Sequence, residues 1–313
     1  MSNPAEPDSP KSNDSPSVEF LDPATDMFES EEDTPPMSTT KSASSSLSLA
    51  FWPVLASGLA VKRKPDVDSW LDLIQTLDGR DKVTKLLQYT ARLLAWYYGA
   101  NGERWATLKA SLVRSRKAFR LGRTLIELRR LQTQHVWKNV FSKELDSATS
   151  LARVLVDQFA TTVRYLGLAG FWALDNTAFL AASGVWDNYR TDSGSRSATR
   201  KALQTKASVW ANRSYFSSAV AGFWINLEAL RKFRRDIGDK NVVDASERQR
   251  IQAKYFGLCL NLLKSVCDML VFSNNPGLEF WKRFYGHRLH EAVHCVCGLT
   301  SASVVLYKNY PSA

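Results

Sequence analysis

Four histidines and four cysteines are few for a chain of 313 residues. The cysteines do not stand in the two spaced pairs that a structural zinc site needs. No secretory leader opens the chain, so Cys259, Cys267, Cys295 and Cys297 are expected to be free thiols on a reducing, cytosolic face. Phosphate loops of the form G-x-x-x-x-G-K-[ST] or G-x-G-x-x-G are missing, and so is the G-x-S-x-G nucleophile elbow, which leaves nucleotide-driven and esterase chemistry without a sequence basis. No 20–50-residue period recurs, which excludes a solenoid. A mean hydropathy of −0.26 argues against a polytopic transporter. Beyond Asp66 no convincing period-2 strand occurs, and the expected fold class is all-α.

What is present is charge, unevenly placed. Residues 1–50 hold ten acids against two bases, with seven of the eleven prolines and twelve serines. Such a segment buries too little apolar area to offset its ordering entropy, so residues 1–60 are expected to be a disordered acidic tail. The rest of the chain carries 39 bases and 21 acids. That basic body calls for an anionic partner, either nucleic acid or a membrane face. The acidic tail is a candidate shield for that body.

Expected breaks at Gly99–Gly102, Gly184–Ser197, Ile237–Ser246 and Ser273–Gly286 divide residues 66–310 into about six helices, several long and amphipathic. The first, Val67–Tyr98, contains Asp78 and Asp81 around Gly79, a capping-box-like pair that predicts a kink or restart there. Val83, Leu86, Leu87, Thr90, Leu93, Leu94 and Tyr97 recur at helical spacing as its stripe, beside Lys82, Lys85 and Arg92. Trp96, Tyr97 and Tyr98 close it in the manner of an interfacial aromatic cluster. Ordinary bundle packing is the competing reading.

The second expected helix, Glu103–Gln134, has nine bases and one acid between Arg104 and Arg130. Trp105, Leu108, Leu112, Phe119 and Ile126 form an apolar stripe, flanked by Lys109, Arg116, Arg120 and Arg123. An apolar strip edged by cations suits a helix lying in the acyl–headgroup boundary of an anionic bilayer. A DNA-facing helix and a merely solvated basic face share the same pattern. The last helix, Leu289–Tyr307, has sixteen uncharged residues from Ala292 to Tyr307, near the lower limit for crossing a bilayer, and is the expected C-terminal membrane-spanning candidate.

Within it, His290-Glu291-Ala292-Val293-His294 is a literal H-E-x-x-H. The nineteen residues after His294 hold no His, Asp or Glu, so the usual downstream third ligand is missing. A polar start to an apolar helix accounts for the motif better than a metal does. No catalytic residues, metal or cofactor are expected.

Two blocks carry a family resemblance. Leu77-Asp78-Gly79-Arg80-Asp81-Lys82, followed by Leu86-Leu87-Gln88-Tyr89 and Ala91-Arg92-Leu93-Leu94-Ala95-Trp96-Tyr97, is similar to the opening signature of the peroxisomal biogenesis factor 11 (peroxin-11) family. Ser115-Arg116-Lys117-Ala118-Phe119-Arg120-Leu121-Gly122-Arg123 resembles its second signature, with softer likeness through Leu174-Asp175-Asn176 and Cys267-Asp268 to Gly298–Tyr307. The resemblance implies a peroxisomal membrane protein that elongates the membrane by helix insertion, promotes fission and regulates organelle size and number. It also implies self-association and recruitment of fission machinery. Carried onto this chain, the lipid-contacting residues would be Trp105, Leu108, Lys109, Leu112, Arg116, Lys117, Phe119, Arg120 and Arg123. The alternatives are a peroxisomal pore or contact-site tether using the same helices, and a helical nucleic-acid-binding protein; the first reading expects an anionic phospholipid partner and no nucleic acid.

Overall fold

The computed structural model describes residues 66–133, 148–187, 193–238 and 245–310. The expected acidic tail, residues 1–60, lies outside these. Among the described residues the regular structure is helical: α1 (Val67–Gln75), α2 (Leu77–Tyr98), a 3-10 turn (Gly99–Gly102), α3 (Glu103–Ala118), α4 (Arg123–Thr133), α5 (Ala148–Ser183), α6 (Ser193–Gly238), α7 (Ala245–Ser273), α8 (Phe280–Tyr285) and α9 (Glu291–Asn309). The all-α expectation holds, but there are more helices than the expected six.

The extra ends have local causes. The first expected helix is two, and the restart comes at Thr76 rather than at Gly79. Asp66 caps α1 by accepting from the Ser69 amide, and the Thr76 hydroxyl caps α2 by accepting from the Gly79 amide. Gly79 cannot be larger, since a Cβ there would fall 1.8 Å from the Leu73 carbonyl oxygen. The second expected helix is also two: α3 ends at Ala118, and a turn over Phe119–Gly122, with Gly122 at a left-handed φ of 83°, leads into α4. A stripe extrapolated from Trp105 to Ile126 therefore changes phase at Phe119–Gly122.

The bundle is built around antiparallel neighbours. α5 packs along α6, α6 against α7, α7 against α9, α9 against α2, and α2 against α3; α3 and α4 both rest on α5 and close the circuit. Phe171 and Trp172 of α5, Tyr215 of α6 and Phe272 of α7 form one aromatic core, with the Tyr215 and Phe272 rings stacked at 3.8 Å. Tyr89 of α2 packs with Cys267, Val271 and Cys297, and Leu73 of α1 with Leu306 and Tyr310.

α9 is not the apolar span expected of it. Eight of its residues are buried in the bundle, His294 and Ser301 among them. Among the described residues the helix long and apolar enough to cross a membrane is instead Ser246–Ser273 within α7. α7 reaches the necessary length because its run from Tyr255 onward is mostly apolar and carries only two charged residues, Lys264 and Asp268.

Candidate membrane interface

The basic stretch of α3 and α4 is where the sequence pointed, and its cations are turned mostly inward. Asp81 of α2, with no exposed surface, accepts from Arg116 Nε at 3.1 Å, Arg120 Nε at 2.9 Å and Lys82 Nζ at 2.9 Å. Gln88 Oε1 takes Arg116 Nη1 at 2.6 Å. Asp175 of α5 pairs with Lys117 at 3.1 Å and with Arg120 at 3.6 Å, and Asp78 pairs with Arg123. Arg120 and Arg123 also lie over the Trp172 ring, 5.1 and 5.3 Å from its centroid. Burial alone would raise the Asp81 carboxyl; Lys82, Arg120 and Arg123 outweigh it and hold the group down at about 2. Asp78 is depressed for the same reason, burial being outweighed by Lys82 and Arg123.

The cationic stripe drawn from residue spacing is therefore, in this conformation, an internal clamp. Arg116 is buried, and Lys117, Arg120 and Arg123 are half-buried. Helical spacing gives a side chain's angle but not which neighbour occupies it, and three carboxylates on α2 and α5 occupy this one. Lys109 faces α9, close enough to Glu291 and Cys295 to act on their charge. Trp105, Leu112 and Phe119 are half-buried and Leu108 is exposed.

The face opposite the clamp is apolar and open. Leu121, Leu125, Ile126 and Leu128 are exposed, Leu125 to 72%, with Arg114 and Arg129 beside them. Sequence reasoning placed only Ile126 of this set on an apolar stripe. α1 presents a second such face: Val67, Trp70, Leu71 and Ile74 are exposed while Leu73 is buried against α9. The i, i+3, i+4, i+7 spacing of those four was legible in the sequence and signals an amphipathic helix. Trp96, Tyr97 and Tyr98 stand exposed at the end of α2, and α8 adds Phe280, Phe284 and Tyr285 with the exposed bases Lys282 and Arg283. Exposed aromatic rings beside cations suit the headgroup layer of a bilayer.

The H-E-x-x-H residues are used in packing. His290 is the N-cap of α9, accepting from the Ala292 amide, and lies edge-on to Trp96. Glu291 pairs with Arg92. His294 is 1% exposed, with Arg92 Nη1 2.7 Å from its Nε2. Burial, then the Arg92 charge, push His294 down to about 4, so the imidazole is neutral with its proton on Nδ1. No group of three metal-binding side chains occurs among the described residues.

A family model described as peroxisomal biogenesis factor 11 matches residues 67–310. A peroxisomal membrane protein 11 homolog of Dictyostelium discoideum is 31% identical over 80 residues, which cover 24% of this chain and 32% of that relative. The chain thus matches about a third of the relative's length. No solved structure matches.

Proposed function

The chain belongs to the peroxisomal biogenesis factor 11 family and is a protein of the peroxisomal membrane, and from that premise we propose that it remodels that membrane during peroxisome proliferation by inserting apolar side chains of α3 and α4 into one leaflet. One observation carries the reading: Leu121, Leu125, Ile126 and Leu128 are left exposed on a segment whose opposite face is fixed to the bundle by ion pairs. A helix held on one side and apolar on the other enters the headgroup–acyl boundary as a shallow wedge, expands that leaflet and favours curvature. Leu108 extends the wedge on α3. Arg116, Lys117, Arg120 and Arg123 serve first as the clamp and exchange carboxylate for lipid phosphate as the segment settles, with Lys109, Trp105, Leu112 and Phe119 following into the boundary. Self-association and recruitment of fission proteins belong to the same proposal and require surfaces beyond this wedge.

The test is vesicle flotation and electron microscopy of the purified full chain at graded anionic-lipid content. Wild type floats and draws tubules. Burying a leucine side chain contributes about 2 kcal/mol, so Leu125→Glu/Leu128→Glu lowers vesicle affinity more than tenfold and abolishes tubules. Unchanged tubulation by that variant refutes the wedge.

A further inference from the structure

A second charged surface lies away from α3 and α4. Where α6 ends and α7 begins, the two packed helices carry the exposed bases Lys232, Arg234 and Arg235 on one and Arg250 and Lys254 on the other. Their proximity is fixed by the packing beneath them. Tyr255 and Phe256 of α7 form a core with Leu230 and Phe233 of α6 and with Tyr307 of α9. Lys254 Nζ sits 5.7 Å from the Phe233 ring centroid, and the Arg234 charge is felt at both Tyr255 and Cys259. None of the five cations has a carboxylate within ion-pair distance among the described residues. Among the described residues the acids near this tip are Glu228, which is paired with Arg231, and Asp236, Glu247 and Asp157.

The contrast with the rest of the protein is the point. Arg116, Lys117, Arg120 and Arg123 meet Asp78, Asp81 or Asp175; among the described residues no carboxylate forms an ion pair with any of the five bases at the α6–α7 tip. Clustered like charges repel, so such a group carries a standing cost that an anionic surface relieves. The tip also offers apolar anchors. Asp157 of α5 feels the charge of Lys232, so the start of α5 lies alongside, and there Leu155, Val156 and Phe159 are exposed, Phe159 to 65%. Cations next to exposed aliphatic and aromatic side chains match the headgroup layer and the acyl boundary beneath it.

We propose that the α5–α6–α7 tip is a docking surface for anionic phospholipid headgroups, separate from the α3–α4 wedge, and that it selects anionic bilayers. The inference rests on the membrane-remodelling reading above, to which it adds a division of labour. The tip sets lipid-charge preference and the orientation of the bundle on the membrane. The wedge supplies curvature. Nucleic acid, which would also meet five cations, is disfavoured by the apolar side chains in the same patch, which have no place against a phosphate backbone.

The experiment uses the full chain with the substitutions Lys232→Glu, Arg235→Glu and Arg250→Glu together. These side chains are solvent-facing, so the variant melts with wild type by circular dichroism. Flotation is measured on neutral phosphatidylcholine vesicles and on vesicles containing phosphatidylserine, at low and high salt. Each cation near an anionic surface is worth about a fivefold change in affinity, so the triple variant binds phosphatidylserine vesicles at least a hundredfold more weakly than wild type. Its residual binding to neutral vesicles matches wild type and no longer depends on salt. The wedge variant of α4 gives the reverse pattern, keeping its preference for phosphatidylserine while losing tubules. Equal phosphatidylserine and salt dependence in the triple variant and wild type overturns the tip proposal alone. Wild type that floats with neither vesicle overturns both readings, and salt-sensitive binding to duplex DNA with no lipid preference assigns the tip to nucleic acid and overturns it as well.

Discussion

Asp81→Asn is the sharpest perturbation of the clamp. Asp81 is wholly buried and takes three cations, and the amide that replaces it has the same shape but no charge. Lys82 keeps Asp78 at 3.5 Å and Arg120 keeps Asp175 at 3.6 Å. Arg116 keeps only the neutral Gln88, and it is 7% exposed. An uncompensated buried guanidinium costs about 3–5 kcal/mol, which for a domain of this size lowers the melting midpoint by about 10 °C. The pH dependence is a smaller, separate quantity. Asp81 is depressed from 3.8 to about 2, so its contribution of about 2 kcal/mol is present above pH 4 and is lost as pH falls from 4 toward 2. Thermal melts of purified protein in detergent, followed by far-ultraviolet circular dichroism, report the first figure. Adding Arg116→Met to Asp81→Asn removes the stranded charge while keeping most of the stem, so the double variant melts above Asp81→Asn alone. An Asp81→Asn protein that melts within 2 °C of wild type, on a scale set by the 10 °C expected, or a double variant whose losses simply add, refutes the clamp.

His294 gives a pH signature in another window. It stays neutral in the folded protein down to about 4, whereas the unfolded side chain protonates near 6.5, so stability rises by roughly 3 kcal/mol between pH 4 and 6.5 and is flat above; urea titrations across that range show it, and His294→Gln flattens it. Gly298→Ala puts a Cβ 2.3 Å from the Tyr89 ring and overpacks α2 against α9 at a cost of about 1–3 kcal/mol, read as a lower urea midpoint with an unchanged slope. Gly122→Ala places a side chain at a φ of 83° and costs about 1 kcal/mol; a neutral result in the same titration means the α3–α4 corner is not held by the rest of the bundle.

Much of the fold was legible because helix ends are local events. Gly99, the stretch after Ser183, and Gly238 mark real ends, each set by residues within a turn of it. The Gly122 corner was missed because the bases and apolar residues on either side keep helical spacing across it, and spacing alone does not reveal a left-handed φ. The H-E-x-x-H residues could be set aside from sequence because a third ligand was missing, but Arg92 as the partner of both Glu291 and His294 lies some 200 residues away along the chain. The tip cations were unremarkable as sequence, since they fall on two separate stretches of chain while the nine bases from Arg104 to Arg130 form one dense run.

By itself the sequence determined the helical class, the positions of most breaks, the family, and the presence of a basic body that needs an anionic partner. These follow from period, capping chemistry and net charge, which short stretches of chain carry whole. Tertiary structure decided which cations are available. Arg116 and Arg250 are indistinguishable as residues, yet one is sealed against Asp81 and the other is exposed with no ion pair among the described residues. The reason is physical: a charge's role depends on the counter-charge and solvent around it, and those are supplied by helices that meet only when the bundle closes.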